Sequence, residues 1–528
     1  MLKEKKEFIE HPLVKSKTVQ KRLYQELLTV KAIEQSTLVV APTGLGKTIV
    51  AVLLIAYTYN IKKSIIFLAP TKPLVTQHKK SLEKTLMLEP DETILLTGQT
   101  PPEKRKEIYK RKGIIICATP QTIRNDINNH LLDSNNFNLV IFDEAHRAVG
   151  DYAYVQISSF FPEAIKRLAL TASPGSQRSK IQEVADNLNI KHIEIKTDTD
   201  QDVVDYVKGI EVDVHFTELD PLSIKISKLL TEFINRKINF LRKLNFKISD
   251  NYTKKQIIQV QAQILQRLQK SKENILFMAL SSTASILKVF HAKELIETQG
   301  FIATRNYLDK LYSDSKDKKA TKTLKHVVGS QEIVEAYSLL RKDLSKEVYS
   351  KEKVLIEMIS DFIKQNPKSR ILVFNNFRDN ASNLVNVLNK QKHITSTRFV
   401  GQATKSKKDK GLSQKEQAQI ISEFKEGKYN TLVCTSVGEE GLDIPAVDLV
   451  IFYDAVASEI RSIQRRGRTG RFSTGKVILL LNKGTIDEHY YYVSQNKEKN
   501  MKKTLQNFNN KPRKTKKQKS IFEFWLEV

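Results

Sequence analysis

The sequence predicts an α/β protein with two parallel-sheet domains and a helical insertion domain between them. Its 528 residues exceed what one core holds, because domains average about 150 residues. Short apolar runs alternate with amphipathic stretches at residues 1–205 and again at 346–500, which is the rhythm of a parallel sheet covered by helices on both faces. At residues 206–345 that alternation gives way to Leu, Ile, Lys and Gln at helical spacing. Residues 501–528 are expected to form a basic, flexible tail.

The apolar runs define the expected strands. Those of the first domain are Thr37–Val40, Ser64–Ala69, Glu92–Leu96, Gly113–Ala118, Leu139–Asp143 and Ile165–Thr171. Those of the second domain are Arg370–Phe374, Thr395–Val400, Thr431–Thr435, Leu449–Tyr453 and Gly475–Leu481. Polar loops follow the carboxyl ends of these strands, and ligands of parallel sheets bind at that edge.

The chain is strongly basic. Its 87 Lys and Arg residues against 59 Asp and Glu give a net charge of +28 and a pI near 9.6. A protein this basic usually meets a polyanion, so nucleic acid is the leading partner and a membrane surface the second. A lysine-rich proteome would also raise the charge without any such partner.

Other features of the sequence describe the setting. Runs of about 18 apolar residues are missing, so no transmembrane helix and no membrane partner are predicted. The charged N-terminus lacks the apolar segment of a signal peptide. The two cysteines, Cys117 and Cys434, lie inside apolar, strand-like runs. This placement argues against a metal site or redox pair and favours a reducing, intracellular setting.

Residues 41–48, APTGLGKT, lie between two apolar runs and fit the phosphate-binding pattern GxxxxGK[ST], with Ala41 in place of the first glycine. The pattern predicts a strand, a glycine loop and a helix whose N-terminus attracts phosphate. Lys47 would reach the β- and γ-phosphates of ATP, and Thr48 would hold Mg²⁺. The residues expected to contact the nucleotide are Thr43, Gly44, Gly46, Lys47 and Thr48. A glycine turn that binds nothing is the alternative.

Adjacent acids end the apolar run at 139–143. Asp143 suits binding of Mg²⁺ partly through water, and Glu144 suits polarising the attacking water. His146, just beyond, could relay between nucleotide and polymer, although a lone histidine is more often structural. The alternative for the two acids is an acidic turn without catalysis. The hydroxyl residues of segment 171–173 follow another strand and could hydrogen-bond the acidic motif, although a plain turn fits them equally well.

Residues 464–471, QRRGRTGR, form a second cluster. Its guanidinium groups repel one another unless an anion is present, and phosphoryl transfer needs positive charge at the γ-phosphate. Arg468 and Arg471 lie one helical turn apart and would supply that charge from the second domain. Gln464 could position the attacking water. The alternative is a basic nucleic-acid patch without catalysis.

These segments resemble motifs I, II, III and VI of the superfamily 2 helicases. Further segments at 69–75, 399–403, 411–414 and 435–443 resemble the Hef family of archaeal helicases, relatives of FANCM, and the resemblance covers roughly residues 10–500. It implies two RecA-like domains and a thumb-like helical domain that grips duplex. It also implies an ATP-driven, 3′-to-5′ translocase acting on branched DNA, in a cytoplasmic or nucleoid-associated location. A double-stranded RNA translocase of the RIG-I-like type is the alternative.

The same resemblance implies roles for individual residues. Gln25 would contact adenine, and Asp443 would meet the nucleotide. The nucleic-acid contacts would be Thr71, Lys72, Thr119, Gln121, Asn375, Arg378 and Thr435. Hef proteins commonly carry a C-terminal XPF-type nuclease, for which this chain leaves no room, so cleavage is expected to need a separate nuclease partner, if any.

The C-terminal tail predicts a further partner. Its last residues fit QxxIxxFW, with Gln518 leading and Ile521, Phe524 and Trp525 on one face of a helical turn. A short apolar plug on a basic tether suits capture in a partner's pocket, and the pattern resembles the box that binds the sliding clamp, PCNA. A terminal helix docked on its own core is one alternative. A clamp-bound recruitment adaptor without catalysis is the other.

Overall fold

The computed structural model describes residues 7–175, 177–206, 210–271, 273–342, 349–402, 411–438, 444–466, 469 and 475–509. Within these residues, a seven-stranded and a six-stranded parallel sheet flank a helical bundle, which confirms the predicted fold class. The sheets belong to the two α/β domains, and the bundle lies between them in sequence.

The first domain is a sheet of order β3-β4-β2-β5-β6-β1-β7 covered by helices. Its strands are β1 Thr37–Val40, β2 Ser64–Leu68, β3 Thr93–Leu96, β4 Ile115–Ala118, β5 Phe137–Phe142, β6 Lys166–Thr171 and β7 His192–Ile195. Its helices are α1 Leu23–Glu34, α2 Lys47–Thr58, α3 Lys72–Thr85, α4 Pro102–Lys110, α5 Pro120–Asn128, α6 Ala153–Phe160 and α7 Arg178–Asn187. The edge strand β7 was not predicted, because His192 and Glu194 interrupt its apolar pattern.

The helical domain comprises α8 Pro221–Lys243, α9 Lys254–Lys270, α10 Asn274–Thr298, α11 Phe301–Ser315, α12 Lys322–Val328 and α13 Gln331–Arg341. By length and composition alone, α10 could cross a membrane, although the prediction was for no such helix. It packs against α8, α9, α11 and α12, and its apolar residues form part of the core of the bundle.

The second domain is a sheet of order β10-β11-β9-β12-β13-β8. Its strands are β8 Ile210–Thr217, β9 Ile371–Phe374, β10 Ser396–Phe399, β11 Thr431–Cys434, β12 Leu449–Phe452 and β13 Gly475–Asn482. Its helices are α14 Ser350–Gln365, α15 Arg378–Leu388, α16 Gln414–Glu426, α17 Glu459–Arg466 and α18 Ile486–Asn509. Cys117 on β4 and Cys434 on β11 are both fully buried in the sheets, and burial raises the pKa of the Cys117 thiol to about 12.

The structure corrects the expected helical start of the insertion. Residues 210–217 were assigned to the helical domain, but they form β8, which pairs with β13 along its whole length. Acidic and apolar residues alternate in β8, as in Glu211-Val212-Asp213-Val214, because it is an edge strand and most of it is exposed. The second sheet is therefore completed by a strand that precedes the helical domain in sequence.

The structure also corrects the expected start of the tail at residue 501. Helix α18 continues through residue 509, and Met501 and Leu505, only 4% and 6% exposed, pack into the core of the first domain. Lys502 forms an ion pair with Asp198 of the first domain at 3.4 Å. The last described helix of the second domain thus returns to the first and connects the two.

The helical domain and one face of the second sheet share a continuous apolar core. Ile226 and Leu230 of α8 belong to the same buried cluster as Val373 of β9 and Leu449 of β12. Because one apolar cluster spans both, the helical domain and the second sheet are expected to move together.

Candidate nucleotide site

The phosphate-binding loop lies where β1 ends, between β6 and β7 at the carboxyl edge of the first sheet. Gly44 and Gly46 have φ of +87° and +69°, values that side chains disfavour. A Cβ atom at Gly46 would also lie 2.8 Å from Nε2 of Gln25. Helix α2 begins at Lys47, so Lys47 and Thr48 occupy its first turn, and Thr43 lies in the loop before it. The loop has the backbone that the sequence pattern predicts.

The Lys47 ammonium group is enclosed by its own loop. It donates to the carbonyl oxygens of Ala41 and Pro42 at 2.9 and 3.2 Å. Burial lowers the pKa of Lys47, and the nearby carboxylates of Glu144 and Asp143 oppose that shift. A phosphate oxygen would replace these carbonyls as the acceptor, so the lysine is already held at the place where its charge is needed.

Asp143 directly follows β5 and meets a partner that sequence reasoning missed. Its Oδ2 atom lies 2.7 Å from Nε2 of His78, which belongs to α3 and stacks on Phe67 with the ring centroids 4.4 Å apart. Burial raises the pKa of Asp143, but His78 and then Lys47 outweigh it, so the pKa is lowered and the carboxylate stays ionised. His78 shares the buried stripe of α3 with Val75 and Leu82, and a histidine on an apolar stripe is the signal that could have revealed it.

Glu144 occupies a strained backbone position, with φ +49° and ψ +49°. Its Oε2 atom lies 3.3 Å from Nδ1 of His146, and that nitrogen lies 3.2 Å from Oγ1 of Thr171. Ser173 closes the turn by donating its backbone N–H to the same Thr171 oxygen at 3.2 Å. The predicted hydrogen bond between segment 171–173 and the acidic motif is therefore confirmed, and His146 is the residue that makes it.

The donor set suits Mg²⁺ and a triphosphate. Thr48 offers a hydroxyl and Asp143 a carboxylate, both hard oxygen ligands of the kind that Mg²⁺ prefers. Lys47 lies close enough to Asp143 and Glu144 for both carboxylates to influence its pKa. The structure therefore brings one buried ammonium group and two carboxylates together at this edge of the sheet.

Gln25, the expected adenine contact, points at the loop instead. Its Nε2 atom donates to the carbonyl oxygen of Leu45 at 3.0 Å, and the Tyr24 hydroxyl donates to the same oxygen at 2.7 Å. Gln25 is only 3% exposed. In this structure it supports the phosphate loop from behind, and its contact with adenine stays a prediction.

A cleft of about 380 Å³ separates the phosphate loop from the second domain. Pro42, Thr43 and Ala172 line one side, while Ile463 and Arg466 of α17 line the other, next to α18. Arg466 pairs with Glu498 of α18, and Gln464 is 7% exposed within α17. The predicted Arg468, Arg471 and Asp443 lie outside the described residues. Helix α17, which precedes the two arginines, faces the phosphate loop.

Four of the predicted nucleic-acid contacts lie at one edge of the first sheet, where the neighbouring strands β2 and β4 end. Thr71 caps α3 by accepting from the N–H of Leu74 at 3.5 Å, and Lys72 donates to the side chain of Gln99. Thr119 and Thr122 share a hydrogen bond of 2.8 Å. Gln121 is exposed beside them. These positions follow the strands that the sequence pattern indicated.

The predicted contacts of the second domain are less accessible. Asn375 is fully buried, and its Nδ2 atom donates to Oε1 of Gln299 at 2.6 Å. In this structure the side chain faces the helical domain, and its contact with nucleic acid stays a prediction. Thr435 is 4% exposed, and Arg378 donates to the carbonyl oxygen of Gly401 at 2.7 Å. The clamp-box residues Gln518, Ile521, Phe524 and Trp525 lie outside the described residues.

Three segments of the chain match models of known protein families. Residues 13–176 match the res subunit of type III restriction enzymes, and residues 350–473 match the helicase conserved C-terminal domain. Residues 223–353 match a helical bundle of ATP-dependent RNA helicases. Two helicase domains with a phosphate loop and paired acids define a superfamily 2 helicase.

The chain belongs to the Hef family within this superfamily. It is 41% identical to the Pyrococcus furiosus Hef helicase domain, over 90% of this chain and 98% of that one, with a TM-score of 0.67. The predicted resemblance is thereby confirmed. Saccharomyces cerevisiae Dbp5 bound to RNA and ADP BeF3 shares the fold at 15% identity, covering 91% and 88% of the two chains, with a TM-score of 0.52.

Curated relatives are longer than this chain. Methanocaldococcus jannaschii MJ1505, named as an ATP-dependent RNA helicase, is 40% identical over 95% of this chain and 62% of its own length. The ATP-dependent DNA helicase MPH1 of Pyricularia oryzae is 35% identical over 91% of this chain and 45% of its own. The chain thus spans about half of the curated relatives it matches.

Proposed function

We propose that this chain is an ATP-dependent DNA helicase that translocates along one strand of branched DNA such as forks and four-way junctions. The observation that carries the proposal is the grouping of Lys47, Asp143 and Glu144 at one sheet edge, with α17 across the cleft. Since each half of the site belongs to a different domain, hydrolysis is coupled to their relative movement.

The chemistry follows from the positions of the side chains. ATP is the substrate and supplies the phosphoryl group, and Mg²⁺, when bound, would supply positive charge beside its phosphates. Thr48 and Asp143 would hold the metal, partly through water, while Lys47 moves from its loop carbonyls to the phosphates. Glu144 orients the water that attacks the γ-phosphate. Gln464, Arg468 and Arg471 would complete the site when the second domain closes.

DNA is favoured over RNA as the polymer by the names of the relatives. The MPH1 relatives are named as DNA helicases, whereas MJ1505 carries an RNA helicase name. The contacts predicted at Thr71, Lys72, Thr119 and Gln121 would address phosphates and carry no base information. Binding should therefore be independent of sequence and should weaken with salt.

We expect forked or four-way DNA to stimulate ATP hydrolysis more than single-stranded DNA, and duplex RNA to stimulate it least. The measurement is steady-state ATPase activity with each polymer at equal nucleotide concentration and fixed salt. Greater stimulation by duplex RNA than by any DNA would favour the RIG-I-like alternative. The 3′-to-5′ direction is proposed on the family resemblance.

We also propose that Gln518, Ile521, Phe524 and Trp525 tether the helicase to the sliding clamp, and that any cleavage of its product needs a separate nuclease. Such a helicase would work inside the cell with the chromosome. Replacing Phe524 and Trp525 with alanine should weaken clamp binding at least about tenfold, because buried aromatic anchors dominate such contacts. Calorimetry with purified clamp measures this, and DNA-free ATPase activity is the control. Unchanged clamp affinity would favour a tail that docks on its own chain. If the Phe524 and Trp525 variant loses function in the cell while Lys47→Ala keeps it, the chain would be a recruitment adaptor without catalysis.

A further inference from the structure

A buried polar network joins the helical domain to the second domain. It consists of Gln299, Asn375, Asn376, Asp454 and Arg465, and we call it the Gln299 network. Gln299 directly follows α10 of the helical domain, whereas the other members belong to loops and helices of the second domain. Gln299, Asn375 and Arg465 are fully buried, and Asp454 is 2% exposed.

Gln299 uses both ends of its amide. Its Nε2 atom donates to Oδ2 of Asp454 at 2.9 Å. Its Oε1 atom accepts from Nδ2 of Asn375 at 2.6 Å and from Nδ2 of Asn380 at 2.9 Å. The side chain therefore hydrogen-bonds at the same time to the loop after β9, to the start of α15 and to the loop after β12.

The network continues from Asp454 to α17. Arg465 donates to the backbone oxygen of Asp454 at 3.2 Å, and its Nη1 atom lies 3.6 Å from Oδ1 of the carboxylate. Oδ1 of Asn376 accepts from Nη2 of Arg465 and from Nη2 of Arg461, both at 2.8 Å. The backbone N–H of Asn376 returns to Oδ2 of Asp454 at 2.8 Å. A single carboxylate oxygen thus connects Gln299 to the loop that holds two arginines of α17.

Stability alone does not explain this arrangement. Buried ion pairs contribute little net stability compared with a well-packed apolar replacement, because both charges lose their hydration. Satisfied polar networks do fix geometry, since each member has partners at set distances and angles. The geometry fixed here is the position of α17, which lines the cleft opposite the phosphate loop.

We propose that Gln299 is a positioning residue through which the helical domain sets the orientation of α17. Nucleic acid held by the helical domain would then alter the placement of Gln464 in α17, and so stimulate hydrolysis. The inference rests on the proposed function, since it needs a polymer that binds the helical domain. Gln299 itself touches neither nucleotide nor nucleic acid in this scheme.

The test compares Gln299→Met with a matched control, Asn482→Leu. Asn482 is also fully buried and ties the same end of α10 to the second sheet, donating to the carbonyl oxygen of Glu297 at 2.6 Å and to the Tyr349 hydroxyl at 2.7 Å. Asn482 is the last residue of β13, and its side-chain contacts lead to α10, β8 and the start of α14 rather than to α17. For each full-length variant, ATPase kcat and KM for ATP are measured with and without forked DNA, together with the thermal midpoint.

Gln299→Met should lower the DNA-stimulated kcat by about fivefold or more, the lower end of usual coupling between sites, and leave DNA-free kcat and KM nearly unchanged. Asn482→Leu should keep the ratio of stimulated to DNA-free kcat, even if its thermal midpoint falls further. An equal loss of both rates in Gln299→Met would reduce the residue to a structural role and overturn the proposal. The same loss of ratio in Asn482→Leu would assign coupling to domain docking in general and would also overturn it.

Gln299→Glu offers a second test of this contact. It places a second carboxylate beside Oδ2 of Asp454, which accepts from Gln299 in the wild type, and should abolish stimulation. Full stimulation of Gln299→Glu by forked DNA, at an unchanged thermal midpoint, would contradict the role of this contact. Wild-type protein separates the two proposals: if no nucleic acid stimulates it, the proposed function fails; if forked DNA stimulates it and Gln299→Met equally, only this inference fails.

Discussion

Lys47→Ala should reduce ATP hydrolysis by about 100- to 1000-fold, the usual cost of removing one preorganised charge from a transition state. The structure gives the reason, because the Lys47 ammonium group already lies in the phosphate loop, 2.9 Å from the Ala41 oxygen. Steady-state ATPase activity at saturating forked DNA measures the loss. Binding of DNA should survive, since the predicted contacts at Thr71 and Gln121 lie after other strands.

Lys110→Ala is the matched control for this variant. Lys110 belongs to the same domain, is 63% exposed and pairs only at the surface with Glu107, so its loss should leave the ATPase rate unchanged. DNA-stimulated hydrolysis within threefold of wild type in Lys47→Ala would contradict the assignment of the loop; such a threefold margin is about 0.7 kcal/mol of barrier.

Glu144→Gln should lower the hydrolysis rate by about 100- to 10,000-fold while ATP still binds, the range for loss of a general base. Glutamine keeps the shape of the side chain and can occupy the same left-handed backbone position, but it no longer draws the proton from water. Single-turnover hydrolysis and binding of a fluorescent ATP analogue separate the two effects. Glu107→Gln, at an exposed glutamate, is the control.

A Glu144→Gln variant that hydrolyses ATP at the wild-type rate would move the general base elsewhere. Loss of ATP binding together with hydrolysis would instead indicate that Glu144 holds the loop in shape. The strained backbone at this residue, with φ +49°, makes the binding measurement necessary.

Much of the fold could be predicted because its central strands are buried on both faces. Such strands, like Phe137–Phe142 and Leu449–Phe452, read as continuous apolar runs, and the loops after them carry the motifs. Edge strands β7 and β8 lack that signal, since one face or end meets solvent and polar residues alternate. The end of α18 was missed because Met501 and Leu505 are sparse among lysines, and only the fold shows that they reach the first domain.

The site was predictable where function follows position along the chain. Lys47 follows β1 after one short loop, and Asp143 and Glu144 directly follow β5, so their convergence follows from sheet topology alone. Contacts between distant segments were not predictable. His78, for example, contacts Asp143, which lies 65 residues further along the chain. A motif match identifies Asn375 but does not give the direction of its side chain. In the structure this side chain points to the helical domain, where it donates to Gln299.

Hydrolysis is expected to depend on the meeting of two half-sites. The first holds the phosphate loop and the two acids, and α17 lies opposite it across a cleft of about 380 Å³. Helix α18 already joins the domains through Lys502 and Asp198. Closure of the cleft upon ATP binding, and its reopening after hydrolysis, would move one domain relative to the other along the DNA backbone.

Strand displacement from a labelled DNA fork tests this central claim most directly. The protein should release the labelled strand from forks that carry a 3′ tail when ATP and Mg²⁺ are present. It should release none with a non-hydrolysable ATP analogue or with Lys47→Ala. Absence of ATP-dependent displacement or translocation on every DNA structure, with hydrolysis intact, would contradict the proposed coupling of hydrolysis to movement along DNA.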